Sequence, residues 1–200
     1  MVVLGAVVAY LIGAVPVGLV IARAFGVGDV RRHGSGAIGA TNVLRTAGAL
    51  PAVLTLLGDV VKGVCAVLVG AAIAGGGARG AGLAAVAAVV GNCWPVFLKF
   101  RGGKGVATGL GAMFALVGPL ALLPSLVVFV VVVATTRYVS LGSLLGTVGV
   151  PLVALALRQP LGNVLAAAAV ALVIIGRHHQ NISRLLGGTE NRFGQRVKTT

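Results

Sequence analysis

The residues best suited to chemistry in this sequence are cations, hydroxyls and amides that lie among glycines in five short polar stretches. The stretch RGGKG, residues 101–105, places two cations among three glycines. Glycine adopts positive φ angles readily, so successive backbone N–H groups can converge on an anion, and Lys104 would add a point charge. The stretch is not a Walker A loop, because the spacing of that motif is absent. The alternative is a basic turn at lipid headgroups, which accounts better for Lys99 and Arg101 than for Lys104.

A second stretch, RRHGSGAIGATNVLRTAG at residues 31–48, carries the groups needed to bind a phosphate. Ser35, Thr41 and Asn42 supply directional hydrogen bonds. Arg45 can bind a phosphate through two parallel N–H groups. The alternative is a polar loop that ends in a helix cap, a role that Ser, Thr and Asn often have.

A third stretch, GDVVKG at residues 58–63, places two opposite charges inside an apolar run. Asp59 and Lys62 are three residues apart, so they share one face of a helix. Because an unpaired charge is costly in a bilayer, we expect the two side chains to pair with each other. A structural ion pair that borders the site is favoured over a catalytic dyad.

The fourth stretch, RYVSLGS at residues 137–143, offers Ser140 and Ser143 where another apolar run begins. Helix capping is the alternative role for either serine.

The fifth stretch, RHHQNISRLLGGTENRFG, covers residues 177–194 and follows the last apolar run. His178 and Asn181 are three residues apart, so in a helix both side chains would lie on one face and could face the same pocket. Glu190 is one of only three acidic residues in the chain. A basic tail beside the membrane is the alternative, although it does not explain the histidine and asparagine.

The elements that must position these stretches are membrane spans. Hydrophobic residues make up 58% of the 200 residues and charged residues 10%, with a mean hydropathy of +1.08. The 16 Lys and Arg against 3 Asp and Glu give a net charge of +13, which indicates membrane topology, anionic lipid or an anionic substrate. Aromatic residues are only 4%, too few to stack bases, so no nucleic acid partner is expected. The sequence contains no Cys-x-x-Cys spacing, so it does not predict a metal site of that type.

The apolar runs predict an all-α, polytopic membrane protein with a single domain over residues 1–200. When a short run at 105–117 is counted as a span, 13 of the 16 cations fall on one face, and omitting it spoils this segregation. The positive-inside rule then predicts seven spans, with the N-terminus outside and the C-terminus in the cytoplasm. The other predicted spans lie near residues 2–24, 49–74, 80–98, 118–136, 140–158 and 161–177. The predicted cytoplasmic site loops cover about 26–48, 99–105, 137–143 and 177–194.

At these residues the chain resembles the bacterial acyl-phosphate:glycerol-3-phosphate acyltransferases. The matching stretches, in order between residues 34 and 191, are GSGAIGATNVLRTAG, GDVVKG, PVFLKFRGGKGVATGLG, RYVSLGS and NISRLLGGTEN. The resemblance implies a seven-helix enzyme of the bacterial inner membrane with its active site facing the cytoplasm. It implies transfer of a fatty acyl group from acyl phosphate to the 1-hydroxyl of sn-glycerol 3-phosphate, which yields lysophosphatidate and inorganic phosphate as the first step of phospholipid synthesis. Because acyl phosphate is an activated mixed anhydride, no cofactor or metal ion is expected.

The resemblance also implies residue roles, which are carried over by position within the motifs. The residues expected to hold acyl phosphate, the last of them in support, are Ser35, Thr41, Ser143 and Asn181. The residues expected to hold glycerol 3-phosphate are Arg45, Lys104 and His178. The predicted catalytic set is Ser35, Arg45, Lys104, His178 and Asn181. Further substrate-binding residues are Asn42, Gly102, Gly103 and Gly105, and structural roles are expected for Asp59, Lys62 and Glu190, the last in organising the cytoplasmic tail.

Two groups could accept the proton of the attacking hydroxyl, namely His178 and the departing phosphate of the substrate. We favour the phosphate, because the sequence shows no carboxylate partner for His178. A covalent acyl-Ser35 intermediate would need an activating base, and none is evident. The chain departs from the family pattern at Ala37, Asn92 and His179, where Asn, His and Arg are usual. Asn92 puts in doubt any mechanism that needs a histidine at that position.

Two other functions compete with acyl transfer. A phosphate or organic-anion transporter would need polar residues that continue to the outer face, whereas here they stop on one side, apart from Asp59 and Lys62. A structural or anchoring protein would carry scattered cations without hydroxyl and amide partners around glycines. The sequence therefore favours the acyltransferase, with membrane lipids around it and the enzyme that produces acyl phosphate as a candidate partner.

Overall fold

The computed structural model describes residues 1–194, which form helices and connecting loops without a β-strand. Two short 3-10 helices, Val30–Arg32 and Val96–Leu98, lie in the loops. Two cations that the sequence placed on the basic face, Arg196 and Lys198, lie outside the described residues. The α-helices are α1 Val2–Gly13, α2 Val17–Ala24, α3 Ala40–Ala47, α4 Ala49–Ile73, α5 Gly77–Cys93, α6 Val106–Thr136, α7 Val139–Ala156, α8 Leu161–Arg177 and α9 His179–Leu186.

The first predicted span, residues 2–24, is two helices rather than one. α1 ends at Gly13 and α2 begins at Val17, with Pro16 between them. Proline has no backbone N–H and its ring clashes with the preceding turn, so it kinks or ends a helix, and here Pro16 lies between the end of α1 and the start of α2. The break leaves the carbonyl oxygen of Val15 open to a donor from another helix, and Lys62 in α4 supplies that donor.

The helix α6 covers both the short predicted span at 105–117 and the one at 118–136, and it is broken at Gly118, where φ is 78° and ψ is 172°. Before the break, Gly109 packs on Ile174 near the end of α8, and the carbonyl of Leu116 accepts a hydrogen bond from Asn163 near the start of α8. After the break, Phe129 and Val133 pack on Gly142 in the first turns of α7. Both ends of α6 therefore lie at the end of the bundle where α7 begins and α8 ends.

Five helical segments are long and apolar enough to cross a membrane. The pair α8 and α9, bent by 61°, would make a sixth if it is one span. The protein is thus a multi-pass membrane protein. This count takes α6 as one span, so the predicted number of seven stays a prediction.

Small residues allow the helix backbones to approach closely. Gly63 packs on the backbone of α6 at Thr108, Gly111 on that of α4 at Val60, and Gly13 on that of α5 at Ala88. Between membrane helices such contacts supply packing that the hydrophobic effect does not, since lipid tails are as apolar as the helices. The result is a tight bundle that opens at one end into the site described next.

Candidate active site

A cavity of about 680 Å³ lies where the first residues of α3, α6 and α7 meet the end of α8 and the tail after α9. At its mouth the walls are polar, and the side chains there include Ser35, Thr41, Arg45, Lys104, Ser140, His178, Asn181, Arg184 and Glu190. Deeper in the bundle the walls are mostly apolar, although Asp59 and Ser125 also line them. The apolar residues include Leu110, Met113, Leu122, Phe129, Val150 and Val170. The five polar stretches of the sequence therefore converge on one cavity that also has room for an apolar chain.

The loop before α3 is shaped by Asn42, whose side chain is buried. Its amide nitrogen lies 2.8–3.1 Å from the carbonyls of Val30, His33 and Ala37, which share its two N–H groups. Its amide oxygen accepts the Ser35 N–H at 2.9 Å. This corrects the prediction that Asn42 binds substrate, because the amide is used within the loop. Ser35 remains on the cavity wall, and its side chain is exposed.

The first turn of α3, from Gly39 to Thr41, also lines the cavity. The N–H groups of a first turn have no partner within their own helix and carry partial positive charge. Arg45 lies one turn further on and is half-buried, without an ion-pair partner among the described residues. Burial lowers the pKa of Arg45 from its usual value, and the nearby Glu190 charge opposes this. The guanidinium is still charged at neutral pH, because arginine titrates so far above it.

The glycine loop does not form the predicted anion nest at Gly103. The Gly103 N–H donates to the carbonyl of Asn92 at 2.9 Å, and the Gly103 carbonyl accepts from Arg177 Nε at 3.2 Å. Gly102 packs so closely on Asn92 and Pro95 that a methyl group would not fit. Neither glycine is among the residues that line the cavity, whereas Gly105 is. The predicted substrate-binding role of Gly102 and Gly103 is thus corrected to one of holding the loop in place.

The first residues of α6, and not Gly102 and Gly103, line the cavity next to Lys104. Gly105, in the left-handed region with φ 84°, is followed by Val106 and Ala107, and all three line the cavity. Backbone N–H groups at the start of a helix have no partner within that helix, so these three residues are candidate donors to an anion. The signal in the sequence was the apolar run that starts directly after GGKG.

Lys104 is the most enclosed cation at the mouth of the cavity. Burial lowers its pKa from 10.5 to about 8, opposed by the charge of Glu190 and reinforced by Arg184, Arg45 and Arg177. No hydrogen-bond or ion-pair partner of Lys104 is found within residues 1–194. Four cations around a single carboxylate leave an excess of positive charge, which an anion with more than one negative charge would neutralise.

His178 and Asn181 both lie on the cavity wall, as their spacing predicted, at the bend between α8 and α9. His178 Nδ1 lies 2.8 Å from the Ile174 carbonyl, which can only accept, so Nδ1 carries the proton. In the neutral ring Nε2 is then an acceptor. Burial lowers the pKa of His178 to about 4, although the bond to Ile174 opposes the shift. The ring is therefore neutral at pH 7.

Glu190 connects the tail to α7 and α9. Its Oε1 accepts from Ser140 Oγ at 2.8 Å and from Asn181 Nδ2 at 2.6 Å, and its Oε2 accepts from Arg184 Nε at 2.7 Å. Burial raises the pKa of the Glu190 carboxyl. The three hydrogen bonds and the Arg184 charge together lower that pKa by more, so the net shift is downward. Farther along the tail, the Phe193 N–H donates to the Arg137 carbonyl at 2.6 Å. Sequence reasoning missed Ser140 and Arg184 as partners of Glu190, although Arg184 continues the three-residue spacing of His178 and Asn181.

The Ser143 side chain lies on the cavity wall in the first turns of α7. Its hydroxyl donates to the carbonyl of Val139, one turn back in α7, at 2.8 Å. Ser143 lines the cavity but is almost fully buried, and its only proton is used by the helix. The predicted role of Ser143 in holding acyl phosphate stays a prediction.

Asp59 and Lys62 form the ion pair that their spacing predicted. Lys62 Nζ lies 2.8 Å from Asp59 Oδ1, and both side chains are at most 7% exposed. Asp59 lines the cavity next to Asn92. Within the described residues, no three His, Cys, Asp or Glu side chains lie close enough to hold a metal ion.

Together the fold and the site define a multi-pass helical membrane protein with a cation-rich mouth above a mostly apolar cavity. The sequence model of the family "Glycerol-3-phosphate acyltransferase" matches residues 3–188. Relatives that carry this name include those of Syntrophotalea carbinolica, 48% identical over 92% of this chain and 94% of theirs, and of Geobacter sulfurreducens, 49% identical over 93% and 94%.

The chain belongs to the glycerol-3-phosphate acyltransferase family. It is also similar to two crystal structures of PlsY (YgiH), described as an integral membrane glycerol 3-phosphate acyltransferase. The glycerol 3-phosphate form has a TM-score of 0.89 and 39% identity over 96% of both chains. The lysophosphatidic acid form has a TM-score of 0.87 and 37% identity over 96% of this chain and 95% of that one.

Proposed function

We propose that this protein transfers a fatty acyl group from acyl phosphate to the 1-hydroxyl of sn-glycerol 3-phosphate, which yields lysophosphatidate and inorganic phosphate. The observation that carries the proposal is the excess of cations at the mouth of a cavity whose interior is apolar. Membership of the family and the two ligand forms of the similar structure agree with it.

Two phosphate groups must approach each other before reaction, and the mouth of the cavity offsets their repulsion. Lys104, Arg45 and His178 surround the position proposed for glycerol 3-phosphate. Ser35, Thr41 and the first turn of α3 would hold the acyl phosphate, with Asn181 fixed beside them by Glu190. Positive charge and helix N-termini in a site of low polarity stabilise anions more strongly than water-exposed groups do. The acyl chain would lie along the apolar walls.

In this arrangement the 1-hydroxyl attacks the acyl carbonyl carbon, and the bond between that carbon and the phosphate oxygen breaks. Holding the two substrates in contact replaces a collision in solution with a reaction inside one complex. The departing phosphate is the acceptor that we favour for the hydroxyl proton. The neutral His178 ring, with Nε2 unprotonated, is the second candidate.

We further propose that the chain crosses the bacterial inner membrane seven times, with the N-terminus outside and the site facing the cytoplasm. The break at Gly118 supports two crossings by α6, because contacts before and after it place both ends of α6 at one end of the bundle. The concentration of cations at this end supports the orientation. An enzyme that makes the labile acyl phosphate at or near the same membrane face would be the supplier and a candidate partner.

The proposal is tested with purified protein in detergent, supplied with palmitoyl phosphate and glycerol 3-phosphate. We expect lysophosphatidate and inorganic phosphate in equal amounts, and loss of both with Lys104→Ala. Lys99→Ala is the matched control, because this exposed lysine lies outside the cavity. Palmitoyl-CoA, offered in place of palmitoyl phosphate, is expected to give no product. Absence of both products from folded protein would contradict the proposal, and phosphate-ester flux into liposomes would then be measured.

A further inference from the structure

The buried Lys62 ammonium is connected through Asn92 to the loop that carries Lys104 at the mouth of the cavity. It forms one ion pair and two hydrogen bonds, with three oxygens in all. These are Asp59 Oδ1 at 2.8 Å, the Val15 carbonyl at 2.8 Å and Asn92 Oδ1 at 2.9 Å. One side chain therefore ties the break between α1 and α2, the middle of α4 and the end of α5 to one point. Because its charge is paired with Asp59, Lys62 adds little net attraction for an anion.

Asn92 carries this connection from the bundle to the loop of Lys104. Its side chain is 4% exposed and accepts from Lys62, while its backbone carbonyl accepts the Gly103 N–H at 2.9 Å. Asn92 is the second-last residue of α5, so its carbonyl has no partner within that helix and is available to the loop. Gly102 packs directly on the same carbonyl. The position of the loop thus depends on the position of Asn92.

A second contact holds the same residue, Gly103, through its carbonyl. Arg177 stacks over the Trp94 ring, 5.2 Å from its centroid, and donates to the Gly103 carbonyl. Gly103 is therefore fixed through both its N–H and its C=O. Lys104 is the next residue, so the position of its backbone is restrained by the two hydrogen bonds of Gly103.

We propose that Asn92, held by Lys62, is a positioning residue for Lys104, acting through the hydrogen bond between its backbone carbonyl and Gly103. It touches no substrate phosphate in this role. It sets where the Lys104 ammonium lies relative to Arg45 and the first turn of α6. Lys62 and Asp59 would then affect catalysis by fixing the position of Asn92, and not by attracting the substrate with their charges. The inference builds on the proposed function, since it assigns Lys104 to the binding of glycerol 3-phosphate.

The test is Asn92→Leu, which keeps side-chain size and the backbone carbonyl but removes the acceptor for Lys62. We expect the KM for glycerol 3-phosphate to rise about tenfold, with a smaller change in kcat, because misplacement of a binding group weakens its contact. Asn92→His, whose neutral ring can accept from Lys62, should restore KM to within about threefold of the parent. The matched control is Asn163→Leu. Asn163 is also a buried asparagine bonded to a backbone carbonyl, but it lies far from the cavity mouth.

A second readout does not depend on turnover. The reactivity of Lys104 towards an amine reagent, followed by mass spectrometry over pH 6–11, reports its titration in the substrate-free protein. In Asn92→Leu the half-labelling pH should move from near 8 towards the ordinary value for lysine as the loop leaves its buried position. Unchanged KM and labelling in Asn92→Leu, or an equal KM change in Asn163→Leu, would overturn the inference. If the parent protein shows no acyl transfer, the proposed function fails, while the labelling comparison still decides the positioning role.

Discussion

The low pKa of Lys104 has a measurable consequence for the pH dependence of catalysis. Burial lowers the pKa from 10.5 to about 8, and a shift of that size corresponds to roughly 3 kcal/mol of lost preference for the charged form at about 1.4 kcal/mol per pH unit. In the proposed complex the phosphate of glycerol 3-phosphate would restore that preference, because it would place negative charge beside the ammonium. Free enzyme should therefore lose its binding cation as the pH rises through about 8.

The kcat/KM for glycerol 3-phosphate reports free enzyme and free substrate. We expect it to fall by about tenfold between the plateau and pH 9, and tenfold more per further unit. The value of kcat should hold to higher pH, since the bound phosphate keeps Lys104 protonated. Initial rates of lysophosphatidate formation would be measured by mass spectrometry from pH 6 to 10 at constant ionic strength, with enzyme-free blanks for hydrolysis of the acyl phosphate.

Lys104→Arg separates Lys104 from other groups that titrate in this range. Arginine keeps its charge throughout, so the alkaline decline should move beyond pH 10 even if the plateau is lower. A decline that stays near pH 8 in Lys104→Arg would show that another group is responsible and would refute the assignment.

Three further predictions concern the groups around Lys104. Glu190→Gln removes the charge that raises the pKa of Lys104, so the alkaline decline of kcat/KM should start at a lower pH than in the parent protein. Asn42→Ala removes the amide that joins three loop carbonyls and one N–H, and should lower stability by about 2 kcal/mol, measured by thermal unfolding in detergent, with loss of acyl transfer. Gly102→Ala places a methyl group against backbone already in contact, and should cost about 1–3 kcal/mol. Gly176→Ala meets open space inside α8 and should unfold at or above the parent temperature, since alanine favours a helix more than glycine does. Equal behaviour of the two glycine variants would contradict this expectation.

The sequence by itself determined the fold class and the location of the chemistry. Long apolar runs with few charges can form only helices in a bilayer, because every backbone polar group must be satisfied within its own segment. The polar stretches indicated the site because cations and amides are costly inside the hydrocarbon. Where they lie among apolar runs, they therefore mark a functional site. The pairing of Asp59 with Lys62 followed from helical spacing alone.

The sequence did not determine where a predicted span is interrupted. Residues 2–24 read as one apolar run, but Pro16 divides them into α1 and α2. A proline can lie inside a helix, as Pro124 does in α6 and Pro151 in α7, or between two helices, as Pro16 does. Beside Pro16 the Val15 carbonyl accepts from Lys62 of α4, 47 positions along the chain, a contact that the local sequence does not show.

Only the tertiary structure decided which polar groups are available to a substrate. Gly103, Asn42 and Ser143 have suitable chemistry, yet each uses its donor within the protein. Glu190 and Ser140 form their contact across 50 positions of sequence. Local sequence shows which groups can form hydrogen bonds. Which bonds form depends on partners brought together by helix packing, and that packing is a property of the whole bundle.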